Sequence, residues 1–154
     1  MRLTNPEPLS SSDARAAILS CHDELRGLVT ETIHVVEGGA RSERDVEPIR
    51  AQARELYLAF EAHMDFEERI LAAALRDVIG WGAMLRAQVV EGHLKQRATI
   101  ASAMSALEPE NVPRAIVVEN VRAVADELLH DLKSEELCLL NADLDAMTID
   151  TGGG

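Results

Sequence analysis

Aromatic side chains are nearly missing from this chain: one Trp, one Tyr and two Phe make up 3% of 154 residues. What remains is rich in Ala, Leu, Val, Glu and Arg, a balance that favours helices over sheets and points to an all-α fold. The length suffices for one substantial core, so a single domain is expected. Basic residues are also few, with 15 Lys and Arg against 27 Asp and Glu and a formal net charge of −12. Nucleic acid and anionic membrane surfaces would both repel such a chain, which leaves small molecules or protein partners as its expected counterparts. No apolar run approaches the roughly 18 to 20 residues of a membrane span. The opening Met1-Arg2-Leu3-Thr4-Asn5-Pro6 has no apolar signal-peptide core, so a cytoplasmic location is expected. Cysteine is limited to Cys21 and Cys138, neither in a Cys-x-x-Cys or similar zinc spacing, and two free thiols are expected.

Three clusters of turn residues punctuate the chain: Gly38-Gly39-Ala40-Arg41-Ser42, Gly80-Trp81-Gly82 and Pro109-Glu110-Asn111-Val112-Pro113. They predict four long helices joined by short turns, an antiparallel up-down-up-down four-helix bundle over residues 13–146. The first helix runs from about Asp13, after capping candidates Ser10, Ser11 and Ser12, to Glu37, with Gly38 as its C-terminal cap. The second starts near Glu43 behind Ser42 and ends near Ile79, where Gly80 stops it. The third covers about Trp81 to Leu107, and the fourth about Val112 to Ala146 with Pro113 in its first turn. Residues 1–12 are expected to be a flexible N-terminal segment and residues 147–154 a disordered tail.

Four of the five histidines fall near the middle of four different helices. On the second, Leu56, Phe60, His63, Glu67, Ile70 and Ala74 follow the alternating three- and four-residue spacing of a bundle seam, which turns His63 and Glu67 inward. Ile18, His22, Leu25, Val29 and Val36 do the same on the first helix, as do Leu85, Val89, His93, Gln96, Ile100 and Leu107 on the third. On the fourth the stripe of Val117, Val121, Val124, Leu128, Leu132 and Leu139 is broad, and His130 and Glu135 lie along its margins. A charged carboxylate in an apolar seam is costly unless it is paired or bound to metal. Residues equally far from a connecting turn lie at one height in antiparallel neighbours, and all four histidines come within roughly two helical turns of one level. They can converge on one site. His34 cannot join them, being about 18 Å along the helix from His22, and is read as a surface or partly buried residue.

The order His22, then His63-x-x-x-Glu67, then His93, then His130-x-x-x-x-Glu135, one group per helix, resembles the hemerythrin family, including the bacterial hemerythrin-like HHE cation-binding domains. The likeness covers about residues 13–146. It implies a non-haem diiron centre, oxo- or hydroxo-bridged, in the bundle core. His22 and His63 would serve one iron, His93 and His130 the other, and Glu67 and Glu135 would bridge them. Mixed imidazole and carboxylate donors also suit iron on chemical grounds, whereas structural zinc sites usually carry cysteine. Bridging carboxylates are needed because two cations within about 4 Å require negative charge between them.

One position departs from the pattern. The family carries a second histidine one turn after that of the third helix, and this chain has Arg97 there, a side chain that cannot deprotonate to bind metal. Three outcomes stay open for the centre: two histidines on each iron, with two open positions and a more reactive centre; substitution by Gln96, Glu68 or Glu91; or a weakly held second metal. Arg97 itself either pairs with a carboxylate or lies on the solvent edge. Glu127-x-x-His130 is a single ExxH, where a ferritin-like centre needs two. Met64, Met84 and Met104 read as packing or exposed positions, Trp81 as a plug at a bundle end, Tyr57 as core, and Asp65, Glu68 and Arg69 as a charged flank. Three functions fit this inventory: an iron protein that binds O2 or a similar small ligand for storage, delivery or sensing; an enzyme reducing peroxide, nitric oxide or O2; and an iron-responsive or structural interaction module. The oligomeric state and any protein partner are open at this stage.

Overall fold

The computed structural model describes residues 10–38, 46–74 and 81–141. Four helices lie within them: α1 (Ser11–Gly38), α2 (Val46–Ala74), α3 (Trp81–Leu107) and α4 (Arg114–Asn141). Ser10 caps α1. Its Oγ accepts the Asp13 amide at 3.1 Å while its hydroxyl donates to the Asp13 carboxylate at 2.7 Å, which gives a first-turn N–H a partner and sets negative charge at the positive end of the helix. Capping from Ser10 is why α1 begins at Ser11 and not at the expected Asp13. The third helix keeps its expected bounds. The fourth starts just after Pro113, whose carbonyl accepts the amides of Ile116 and Val117 at 3.0 and 3.2 Å, so the proline stands before the helix and not inside it. The expected cap at Ser42, the stop at Gly80, the far ends of the second and fourth helices, residues 1–9 of the N-terminal segment, the C-terminal tail and the Trp81 side chain lie outside the described residues; residues 11 and 12, expected in the flexible segment, are helical.

The helices are antiparallel, because across each interface numbers rise on one helix as they fall on the other. His22 meets His63 and Thr32 meets Gln52 between α1 and α2. Glu68 meets His93 and Asp65 meets Arg97 between α2 and α3. Glu136 meets Arg26 and Arg122 meets Glu37 between α4 and α1. Each helix packs on its sequence neighbours, α1 closes against α4, and α2 reaches α4 across the diagonal.

The inward stripes of α1 and α3 are those predicted, with every named residue buried. On α2 the stripe holds to Glu67 and then passes to Leu71, leaving Ile70 and Ala74 half-buried. On α4 it runs Val117, Val121, Ala125, Leu128 and Leu132, while Val124 is only half-buried. Phe60, Met64 and Tyr57 fill the centre beside it, and burial pushes the Tyr57 phenol up to about 12. Met84 is exposed and Met104 half-buried, which suits packing and surface roles. At the opposite end, about 20 Å of helix rise from His63, the buried Arg50 guanidinium donates to the Pro109 carbonyl at 2.6 Å and ties α2 to the α3–α4 connection.

Phe60 lies one turn before His63 and is fully buried. Phe60→Ala is expected to lower unfolding free energy in urea by about 3–5 kcal/mol. Leu58→Ala, at a position 56% exposed, should change it by no more than about 0.5 kcal/mol.

Candidate metal centre

Four donor groups crowd one point in the bundle core. One ligand atom from each of His22, His63, Glu67 and Glu135 lies within 4.8 Å of all the others. The Nε2 atoms of His22 and His63 are 3.1 Å apart, and Glu67 Oε2 is 3.0 Å from His63 Nε2 and 3.9 Å from His22 Nε2. His93 stands on the far side of the two carboxylates, its Nε2 3.6 Å from Glu67 Oε2 and 3.7 Å from Glu135 Oε2. The other oxygen of Glu135 faces His22 at 3.6 Å. Two glutamates therefore lie between a pair of imidazoles and a single one. The seam spacing that makes these helices pack is what delivers the side chains: His22, His63, Glu67 and His93 are all at most 3% exposed.

Behind each ring stands a second group that fixes its orientation. His22 Nδ1 is 3.0 Å from Glu136 Oε1, His93 Nδ1 is 2.8 Å from Glu68 Oε1, and His63 Nδ1 is 3.2 Å from Cys21 Sγ. The carboxylates are held in turn, Glu136 by Arg26 at 2.6 Å and Glu68 by Arg97 at 2.8 Å. Holding Nδ1 from outside leaves Nε2 to face the centre, the arrangement by which imidazole ligands are oriented and made more basic.

The proton inventory shows what the centre lacks. His22 donates from Nδ1 to Glu136, and between it and His63 one Nε2 must donate to the other. If His22 does so as a cation, His63 Nε2 commits its single lone pair to that bond, Nδ1 donates to Cys21, and no proton is left for Glu67, 3.0 Å away. Two acceptors at that distance repel unless a cation sits between them. Both Glu67 oxygens, Glu135 Oε1 and His93 Nε2 are buried without any hydrogen-bond partner of acceptable geometry. Such orphaned donors and acceptors, imidazole and carboxylate without thiolate ligation, fit a hard or borderline metal cation such as iron.

Two expectations need correction. His130 is exposed and takes no part in the cluster. It lies at the right height but the wrong angle: two residues from both Leu128 and Leu132, it is turned by about 200° from the buried stripe. Glu135, three residues after Leu132, stays near the stripe, and His130 and Glu135 cannot both face inward once the apolar residues have chosen. The ExxH pair of Glu127 and His130 is exposed on both members. His34 is exposed as expected. Arg97 lies at the solvent edge, its guanidinium bridging Glu68 at 2.8 Å and Asp65 at 2.7 Å. Asp65 and Glu68 are thus more than a charged flank, and Glu68 holds the far side of His93. Glu91 pairs with exposed Lys95 instead, and Gln96 is buried along the α3–α4 cleft. Glu136 and Cys21, the groups behind His22 and His63, carry no signal in the sequence beyond their adjacency to Glu135 and His22.

Charge couples the cluster to pH. Burial opposes the cation on His22 and His93, but Glu135 and Glu67 outweigh it and push the two imidazoles up to about 9 and about 10. Burial likewise opposes the Glu67 anion, and the facing imidazoles overcome it and hold that carboxyl far below its ordinary range. The stability gained by raising the histidines is complete below their ordinary value of 6.5 and is lost as pH rises through 9 to 10. That gained through Glu67 is present above 4.5 and is lost on acidification. The melting temperature of chelator-treated protein should therefore fall between pH 7 and pH 10, and His93→Gln should flatten that slope. An equal slope in both proteins would mean the imidazole is not charged by its neighbours.

No curated protein and no solved structure shows a significant match to the chain. The family model described as hemerythrin HHE cation binding domain matches residues 13–142, which contain every group of the cluster and all four helices but for the first two residues of α1. The chain thus belongs to the hemerythrin HHE cation-binding domain family.

Proposed function

We propose that this protein is a non-haem diiron protein whose buried centre binds O2 or a related small ligand for storage, delivery or sensing. The observation that carries the reading is the placement of Glu67 and Glu135 between His22 and His63 on one side and His93 on the other, with four of their polar atoms unpartnered. His22, His63, Glu67 and Glu135 would hold one iron, and His93 with the same two carboxylates the other. Bound iron supplies redox and Lewis-acid chemistry that the side chains lack. The chain's own part is to hold each ring by its Nδ1, to keep the Glu67 carboxylate charged in the core, and to leave ligand positions unfilled.

A second reading, an enzyme that reduces peroxide, nitric oxide or O2, draws on one observation. The side served by His93 is poor in imidazole, because His130 points to solvent and Arg97 is tied to Glu68 and Asp65. Open positions there favour turnover over stable carriage. Absorption spectra recorded on adding O2 and then peroxide separate the two: a band that forms and reverses on removing O2 supports carriage, and rapid consumption of peroxide supports the enzyme.

Metal content tests the ligand set. Protein from iron-replete cells should hold about two irons per chain, and zinc alone, or no metal, would sink the diiron reading. His93→Ala should lower the content toward one, Glu67→Ala should remove most of it, and His130→Ala should leave it unchanged. Because metal must displace protons from the raised imidazoles, affinity should climb with pH up to about 9 to 10, as competition with a chelator would show.

A further inference from the structure

A centre this deeply buried has to be reached from solvent. A cavity of about 270 Å³ opens between α3 and α4, with Leu85, Val89 and Gly92 on one wall and Glu127, Asp131 and Glu135 on the other. The three carboxylates recur every four residues, so each is about 6 Å of helix rise from the next on one face of α4. Their exposure falls in order: Glu127 is exposed, Asp131 half-buried, and the Glu135 side chain 10% exposed. The innermost belongs both to the cavity and to the cluster, and its Oε1 is buried without a hydrogen-bond partner.

We propose that this cleft is the route by which a divalent cation reaches the His/Glu centre, with Glu127, Asp131 and Glu135 as successive stations. The proposal rests on the metal-binding reading above. Among the described residues, no ion pair joins any of the three carboxylates to lysine or arginine; Lys95 stands at the rim with its ammonium 3.8 Å from Glu91. Thr99 donates to Glu127 at 3.3 Å, a neutral contact that leaves the charge uncompensated. Burial and the neighbouring Glu127 outweigh the opposing His130 and hold the Asp131 carboxyl above its ordinary range, a cost that a passing cation would relieve. Gly92 on the opposite wall borders open space, since a Cβ there would meet nothing within 4 Å. A second depression, between α1 and α2, also touches His63, but it includes Cys21 and so approaches the ring from its Nδ1 edge, away from the converging atoms.

The test follows uptake by metal-free protein with cobalt(II) as the probe, using the growth of its visible absorption for the rate and elemental analysis for the final content. Glu127→Gln combined with Asp131→Asn should slow uptake about tenfold without changing the final content. Gly92→Leu, which fills the cleft, should slow it as well. Glu119→Gln combined with Asp126→Asn, the same charge change on exposed positions of α4 outside the cavity, should leave the rate as it was. Uptake at the unaltered rate in the first double variant overturns the route while the centre stands. So does a result in which only Gly92→Leu has an effect, and only on the binding of nitric oxide to loaded protein; the cleft would then serve neutral ligands. Unaltered protein that takes up neither cobalt nor iron removes the centre and the route together, and that failure is read from content and not from rate.

Discussion

The structure is organised around a negative charge buried where no solvent can satisfy it. Glu67 is fully buried in the core of an acidic protein, and neither of its oxygens receives a hydrogen bond. An isolated carboxylate in such surroundings would shed its charge by taking up a proton. It keeps the charge because the raised imidazoles of His22 and His93 face it, and those imidazoles are in turn held by carboxylates nearer the surface. The four helices have to meet at this height for the balance to hold, and so the position of the site and the register of the bundle are one constraint.

Burial of this kind is expensive, and it weakens a bundle relative to one filled with leucine. The cost is concentrated at one level. One turn from His63, Phe60 restores apolar packing, and at the opposite end Arg50 fastens α2 to the α3–α4 connection. The polar layer is thus carried by a scaffold that is conventional elsewhere, which lets a strained donor set persist without loosening the rest.

Much of this was legible in the sequence, for identifiable reasons. A seam repeats every three to four residues, so His22, His63, Glu67 and His93 announce their direction through the apolar residues that share their stripes. Distances to the turns then set their height. His130 shows where that logic weakens: it satisfies the height condition, but on α4 apolar residues spread over so wide an arc that the stripe did not define one direction. Only the packed bundle selected Leu128 and Leu132 and turned His130 outward. The orienting groups were harder still to find. Glu68, Glu136 and Arg97 lie on polar faces, where one charged residue looks like another until the neighbouring helix is in place. Arg97 takes one of the outcomes its sequence position left open, pairing with the carboxylate that holds His93.

The three inward rings differ in what stands behind them. His22 and His93 lean on carboxylates, whereas His63 leans on a half-buried thiol, a far weaker acceptor. A carboxylate draws its ring toward imidazolate character; a thiol does so much less. The cluster is therefore electronically graded, with its softest push arriving through Cys21 and His63. A molecule built from nearly symmetrical helices thus carries an inner polarity that its outward architecture does not display.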